Sequence, residues 1–134
     1  MHAPTERQLA RHPSSVGQAR TFVRDAIVDH VQGDRADDIL VCVSELATNA
    51  LEHGTPPGRD FRVSVSITHD VLRIEVHDTG DGRPEQRTAT EDDDAGRGLF
   101  LVASFADDWG VSPRIGLGKV VWAEFKLVPA VTSC

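Results

Sequence analysis

Apolar residues recur with a helical period in two early stretches of the chain. In HPSSVGQARTFVRDAIVDHV, residues 12–31, Val16, Ala19, Phe22, Val23, Ala26, Ile27 and Val31 keep that spacing. Ser14 or Ser15 stands where an N-cap belongs, and Gly33 where the helix should end. Asp34 is placed to cap a second helix that runs to about His53 and stops at Gly54, with Ile39, Leu40, Val43, Leu46, Ala47, Ala50 and Leu51 as its apolar stripe. After the turn-rich TPPGRD the period changes to two. Phe61, Val63, Val65 and Ile67 alternate with polar residues, and so do Leu72, Ile74 and Val76, with His69 and Asp70 at the hairpin turn between them. Residues 6–12 suit a short edge strand. GLFLVASFAD, from Gly98, reads as a helix opening at a glycine; DDWGVSP and GKVVWAEFKLV read as two closing strands. Trp109 and Trp122 are expected in the core.

Two helices, two strands, a long polar loop, a helix and two strands predict an α+β fold: a two-layer α/β sandwich with helices on one face of a mixed, mostly antiparallel sheet. The length of 134 residues fits a single domain, 1–134. A loop as long as DTGDGRPEQRTATEDDDAGRG, without a period of its own, is often functional, for instance as a lid. The acids at 91–94 within it read as a solvated run.

The net charge of −7 argues against sequence-independent nucleic-acid binding, which needs a basic footprint. It leaves local arginines available for phosphate. The polar N-terminus has no apolar signal region, and GLFLVASFA is far too short to cross a bilayer, so a cytoplasmic protein without membrane contact is expected. Cys42, in a helical pattern, and Cys134, the last residue, form neither a disulfide framework nor a metal motif.

Three segments carry candidate chemistry. In SELATNALEHG, residues 44–54, Glu45, Asn49 and His53 fall at i, i+4 and i+8 and line one side of the helix opposite its apolar stripe. A solvated face accounts for such a row, and so does a cationic or phosphorylated ligand lying against it. His53, near the helix end, suits a capping role. In HDTGDG, residues 77–82, an aspartate followed by glycines lets a carboxylate face a pocket while bare backbone approaches a flat ligand. A calcium loop fails on spacing, since His77 and Thr88 would occupy its first and twelfth places. In AGRGLF, residues 95–100, Gly96 and Gly98 precede a helix whose N-terminus suits an anion, with Arg97 beside it. The segment is neither a Walker loop nor a full dinucleotide fingerprint.

In this order, the three segments resemble the N, G1 and G2 boxes of the GHKL (Bergerat-fold) ATPases, over about residues 14–127. SELATNALEHG and GRGLFLVASFADDWGV look most like the anti-sigma-factor serine/threonine protein kinases of that superfamily. The resemblance implies ATP and Mg2+ as cofactors. It makes Asn49 the magnesium ligand and Glu45 the general base that accepts the proton of a serine or threonine hydroxyl. Asp78 would accept from the adenine amine and disfavour guanine. Gly80 and Gly82 would let backbone close on the base, and Gly96, Arg97, Gly98 and Leu99 would hold the phosphates under a lid of residues 83–97. The implied function is an anti-sigma factor that binds a sigma factor and phosphorylates an anti-anti-sigma antagonist, as a homodimer. A catalytically weak or inactive ATP-binding regulatory module that controls a partner by binding alone is the alternative, and the catalytic domain of a two-component histidine kinase is a third. Arg20 and Arg24 are charged candidates for meeting a partner, or simply a solvated face. One departure stands out. Val120 and Val121 occupy the place of a phosphate-binding threonine in the last strand, with Lys119 as a charged substitute.

Overall fold

The computed structural model describes residues 4–79, 94–113 and 118–127, with side chains in the second segment from Leu99 onward. Its elements are β1 (Thr5–Ala10), α1 (Ser14–Ile27), α2 (Gly33–Asn49), a π-helical turn (Ala50–Gly54), β2 (Asp60–Thr68), β3 (Val71–His77), α3 (Asp94–Phe105), β4 (Asp108–Pro113) and β5 (Lys119–Lys126). The strands form one sheet in the order β1-β2-β3-β5-β4. Every neighbouring pair in it is antiparallel, so the expected mixed character is absent among the described strands. The step from β3 through α3 to β4 is a crossover, since β4 runs parallel to β3 and lies one strand away, and β5 then fills the place between them.

Alternation sorts the sheet into two faces. Leu9, Phe61, Val63, Val65, Leu72, Ile74, Val76, Val121, Ala123 and Phe125 are buried on the helix side. Register stacks them across strands, with Val76 between Val63 and Val121, and Ile74 between Val65 and Ala123. Helix α2 lies between α1 and α3 and supplies Ile39, Cys42, Val43, Leu46 and Ala47 to the same core. Burial on this scale, at about 1.5–3 kcal/mol for a fully buried large side chain, is what holds the two layers together.

Trp109 packs partly buried against this core, as expected. Trp122 does not. It shares the opposite face with Arg73, Glu75 and Glu124, because its parity along β5 differs from that of Val121 and Ala123. The Arg73 guanidinium lies over its ring at 4.4 Å, while bonding Glu75 and Glu124 at 2.7 Å each. An amphipathic ring that covers a neighbouring strand and carries a cation on its face needs no core position.

The helix ends differ from expectation for local reasons. Neither Ser14 nor Ser15 caps α1. Ser15 is buried and donates to the Ala10 carbonyl at 2.7 Å, tying the helix to β1, while the Ser14 N–H donates to His12 Nδ1 at 3.1 Å. Helix α1 stops at Ile27, short of Val31, which reaches the core through a tight turn whose His30 and Val31 N–H groups both donate to the Ile27 carbonyl. Gly33, with φ +68°, opens α2 instead of closing α1, and Asp34 sits in the first turn, where its charge suits the dipole without making a cap bond. The hairpin turn is His69–Asp70 as expected, with φ of 53° and 65°, the left-handed pair of a type I′ turn that follows the sheet's twist.

Candidate functional site

The helix-facing side of the sheet ends at Asp78, one residue past β3. Its parity matches Val76 and Ile74, so its carboxylate points toward the helices. That carboxylate is 4% exposed. A buried charge requires partners, and Lys119 at the start of β5 supplies them from three atoms. Its Nζ donates to Asp78 Oδ2 at 2.7 Å, and its backbone N–H donates to Oδ1 at 3.2 Å. The Asp78 N–H donates to the Lys119 carbonyl at 3.0 Å, which extends the β3–β5 ladder by one step. Beyond Asp78, Arg59 Nη1 donates to the Thr79 carbonyl, and the Thr79 hydroxyl to the Asp60 carbonyl, each at 3.4 Å.

Two glycines close on this aspartate. A Cβ at Gly54 would lie 2.8 Å from Asp78 Cγ and 3.1 Å from Lys119 Nζ, closer still to Asp78 Oδ2. Gly118, at φ +94°, would put a Cβ 2.9 Å from the Asp78 carbonyl carbon. The first contact fixes how the helical layer meets the site, because Gly54 ends the π-helical turn that continues α2. Thr55, next in the chain, is buried, and its hydroxyl has no hydrogen-bond partner among the described residues.

Glu45 and Asn49 lie one turn apart on α2, both half-buried, on the row expected of them. His53 lies beyond α2, in the π turn Ala50–Gly54, and its Nε2 stands 3.8 Å from Glu52 Oε1. Single π turns inside α-helices recur at functional sites. This one sits between Asn49 and Gly54, where the helix reaches Asp78.

The third segment departs from expectation. Helix α3 begins at Asp94, so Gly96 and Gly98 lie within its first turns and do not precede it. An acid followed by alanine suits a helix start better than glycine does. The amides without a helical partner therefore fall at 94–97, and Gly98 and Leu99 would release theirs only if the first turn unwound. The Leu99 side chain packs against the core. The side chain of Arg97 lies outside the described residues, as do Gly80, Gly82, Cys134 and the lid from 83 to 93. A cavity of about 330 Å3 lined by Gln8, Arg59, Asp60, Arg62, His77 and Thr79 opens nearby, but Glu45, Asn49 and Asp78 do not line it.

Lys119 was misplaced by sequence reasoning. Val121 points into the core and Val120 to the other face, so the strand residue on the site is Lys119, and it meets a carboxylate where a phosphate contact was expected. Opposite charges at the ends of two strands whose register pairs His77 with Val120 were the available signal. Buried Cys42 lies behind the helix face, and its thiol is pushed up to about 12 by burial first and then by Asp38 and Glu45, with Arg35 opposing. Among the described residues no cluster of His, Cys, Asp and Glu is arranged to hold a metal, and no helix is long and apolar enough to cross a membrane.

These residues fit a nucleotide base with one reservation in the chemistry. The buried acceptor packs against the bare backbone of Gly54, and the Thr55 hydroxyl has no partner among the described residues, yet Lys119 already holds the acceptor. Comparison with known proteins agrees on the architecture. The family model described as "Histidine kinase-like ATPase domain" matches residues 9–125. The anti-sigma F factor of Geobacillus kaustophilus (strain HTA426) is 27% identical over 111 residues, covering 75% of this chain and 76% of that protein. The anti-sigma F factor of Geobacillus sp. (strain WCH70) is 25% identical over 136 residues, covering 90% and 93%. Among solved structures, the RsbU and RsbW domains of Rv1364c from Mycobacterium tuberculosis superpose with a TM-score of 0.71 at 19% identity, over 98% of this chain and 35% of that one. The histidine kinase domain of a blue-light activated kinase from Erythrobacter litoralis EL346 gives 0.54 at 24% identity, over 85% of this chain and 60% of that one.

Proposed function

Because the chain belongs to the histidine kinase-like ATPase domain family, we propose that it is an ATP-binding anti-sigma factor that holds a sigma factor and phosphorylates a serine or threonine of an antagonist protein. The observation that carries this reading is the buried Asp78 carboxylate, packed against Gly54 at the end of the helix that bears Glu45 and Asn49. The two relatives named above are both anti-sigma F factors, which supports the choice of partner class.

Mg-ATP, when bound, supplies the phosphoryl group and the charge neutralisation that phosphoryl transfer depends on. In this reading Asp78 accepts from the adenine amine, and its lack of a shared proton disfavours the guanine carbonyl. Gly80 and Gly82 lie against the base. Asn49 offers its side-chain oxygen to the magnesium ion, a hard cation suited to oxygen. Glu45, one turn earlier, takes the proton of the attacking hydroxyl. Gly96, Arg97, Gly98 and Leu99 hold the phosphates, which calls for the first turn of α3 to open. The lid of residues 83–97 closes over them, and the active form is a homodimer.

Calorimetric titration with Mg-ATP and Mg-GTP tests the pocket: ATP should bind better than GTP, and Asp78→Asn should lose the preference. Equal affinities would refute the role of Asp78. Glu45→Ala should abolish transfer to an antagonist while sparing ATP binding, and undiminished transfer would remove Glu45 as base. A second reading, a regulator that acts by binding alone, is favoured by Lys119, since a cation already sits on the acceptor. Transfer of phosphate to any antagonist would exclude it.

A further inference from the structure

We propose that Lys119 is a built-in competitor for the base site: its ammonium holds the oxygen of Asp78 that a nucleotide base would need, so that Lys119 sets the affinity for nucleotide. This rests on the reading of Asp78 as the base acceptor. Both carboxylate oxygens are engaged by the same residue, Oδ2 by Nζ at 2.7 Å and Oδ1 by the backbone N–H at 3.2 Å. The backbone bond does not depend on the lysine side chain. The ammonium bond does.

Three features make the ammonium an effective plug. The pair is largely withdrawn from water, with side chains 19% and 4% exposed, so salt screens it little. The ammonium brings a full charge to the carboxylate, an ion pair as well as a hydrogen bond, which a neutral exocyclic amine does not. The ammonium also stands beside the carboxylate at Gly54, whose Cβ would lie 3.1 Å from Nζ and nearer still to Oδ2. A flat ring that reaches Oδ2 from this side therefore meets the lysine head as well. The long flexible stem of lysine lets the head swing aside, so the plug raises the cost of binding without sealing the site.

The test is calorimetric titration of the full chain with Mg-ATP, comparing wild type, Lys119→Ala, Lys119→Thr, Lys119→Arg and Asp78→Asn. Threonine suits the strand, and arginine keeps the cation. The two small substitutions should each tighten ATP binding by about tenfold or more, while Lys119→Arg should stay within about threefold of wild type. Melting without nucleotide supplies an independent readout. Lys119→Ala should melt below wild type, because it removes an ion-paired hydrogen bond from a buried carboxylate, and ATP should restore more of its melting temperature than it adds to wild type. A gain in Lys119→Thr without one in Lys119→Ala would mean that the hydroxyl helps and the ammonium does not obstruct, which overturns the proposal. Unchanged or weaker binding in both, with Asp78→Asn still weaker than wild type, would overturn it and leave the base site standing. No binding by any variant would overturn both.

Discussion

Gly54→Ala isolates the contact that joins the helical layer to the site. Gly54 does not use the left-handed backbone region, so alanine would ordinarily be neutral or favourable there, worth roughly 0.5–1 kcal/mol through a less flexible unfolded chain. The neighbours reverse that sign. The added methyl would meet Asp78 Cγ at 2.8 Å and Lys119 Nζ at 3.1 Å, with Oδ2 nearer still. The lysine head can move, but Asp78 is short and its backbone is tied to β5 by the N–H bond to the Lys119 carbonyl. Overpacking of this kind costs about 1–3 kcal/mol, which leaves a net loss on the order of 1–2 kcal/mol. For a chain between the small and mid-sized classes this corresponds to a melting temperature lowered by about 4–8 °C. Urea unfolding followed by circular dichroism measures it directly. The decisive comparison repeats the substitution in an Asp78→Ala/Lys119→Ala background, where the wall is gone and Gly54→Ala should be neutral or stabilising. An equal loss in both backgrounds would refute the steric argument, and so would a stabilised Gly54→Ala in the otherwise native chain.

Three further outcomes are expected. Replacing the turn pair with His69→Asn and Asp70→Gly should stabilise the protein by about 1 kcal/mol or more, since both positions are left-handed and asparagine and glycine adopt that region at less cost; thermal melts check the sign. Acid should destabilise the fold through two carboxylates held below their ordinary values of 4.5 and 3.8. Burial raises Glu75, but hydrogen bonds from Arg73 and His77 outweigh it; Asp107 is lowered first by the Lys126 N–H and then by Arg35 against a burial effect. Their stabilisation is complete above the ordinary values and lost as pH falls through the depressed ones, so melting temperature should be flat from neutral down to about pH 5 and drop below it, with a smaller drop in Glu75→Gln. Cys42, its thiol raised to about 12 chiefly by burial, should resist alkylation at pH 8 in a Cys134→Ser protein until denaturant exposes it; rapid labelling of the folded protein would contradict the burial.

The chain by itself determined the layers. The change of apolar period from helical to alternating at TPPGRD separates helices from strands, and the alternation by itself places Val63, Val65, Ile74 and Val76 on one face. It also put Glu45 and Asn49 on one helical row, because neighbours one turn apart are fixed by local geometry alone. What local geometry does not contain, only the tertiary structure decided. The π turn through which the helix ends at Gly54 has no residue-type signature in ALEHG. The side of β5 that faces the site depends on register with β3, and a shift of one residue would set Val120 in place of Lys119 beside Asp78. Gly54 is read from sequence as a helix stop, yet in the fold it is the gap into which a buried ion pair fits. Helical period and strand alternation are properties of neighbouring residues, whereas the pairing of Asp78 with Lys119 joins strands some forty residues apart and exists only once the sheet has brought them together.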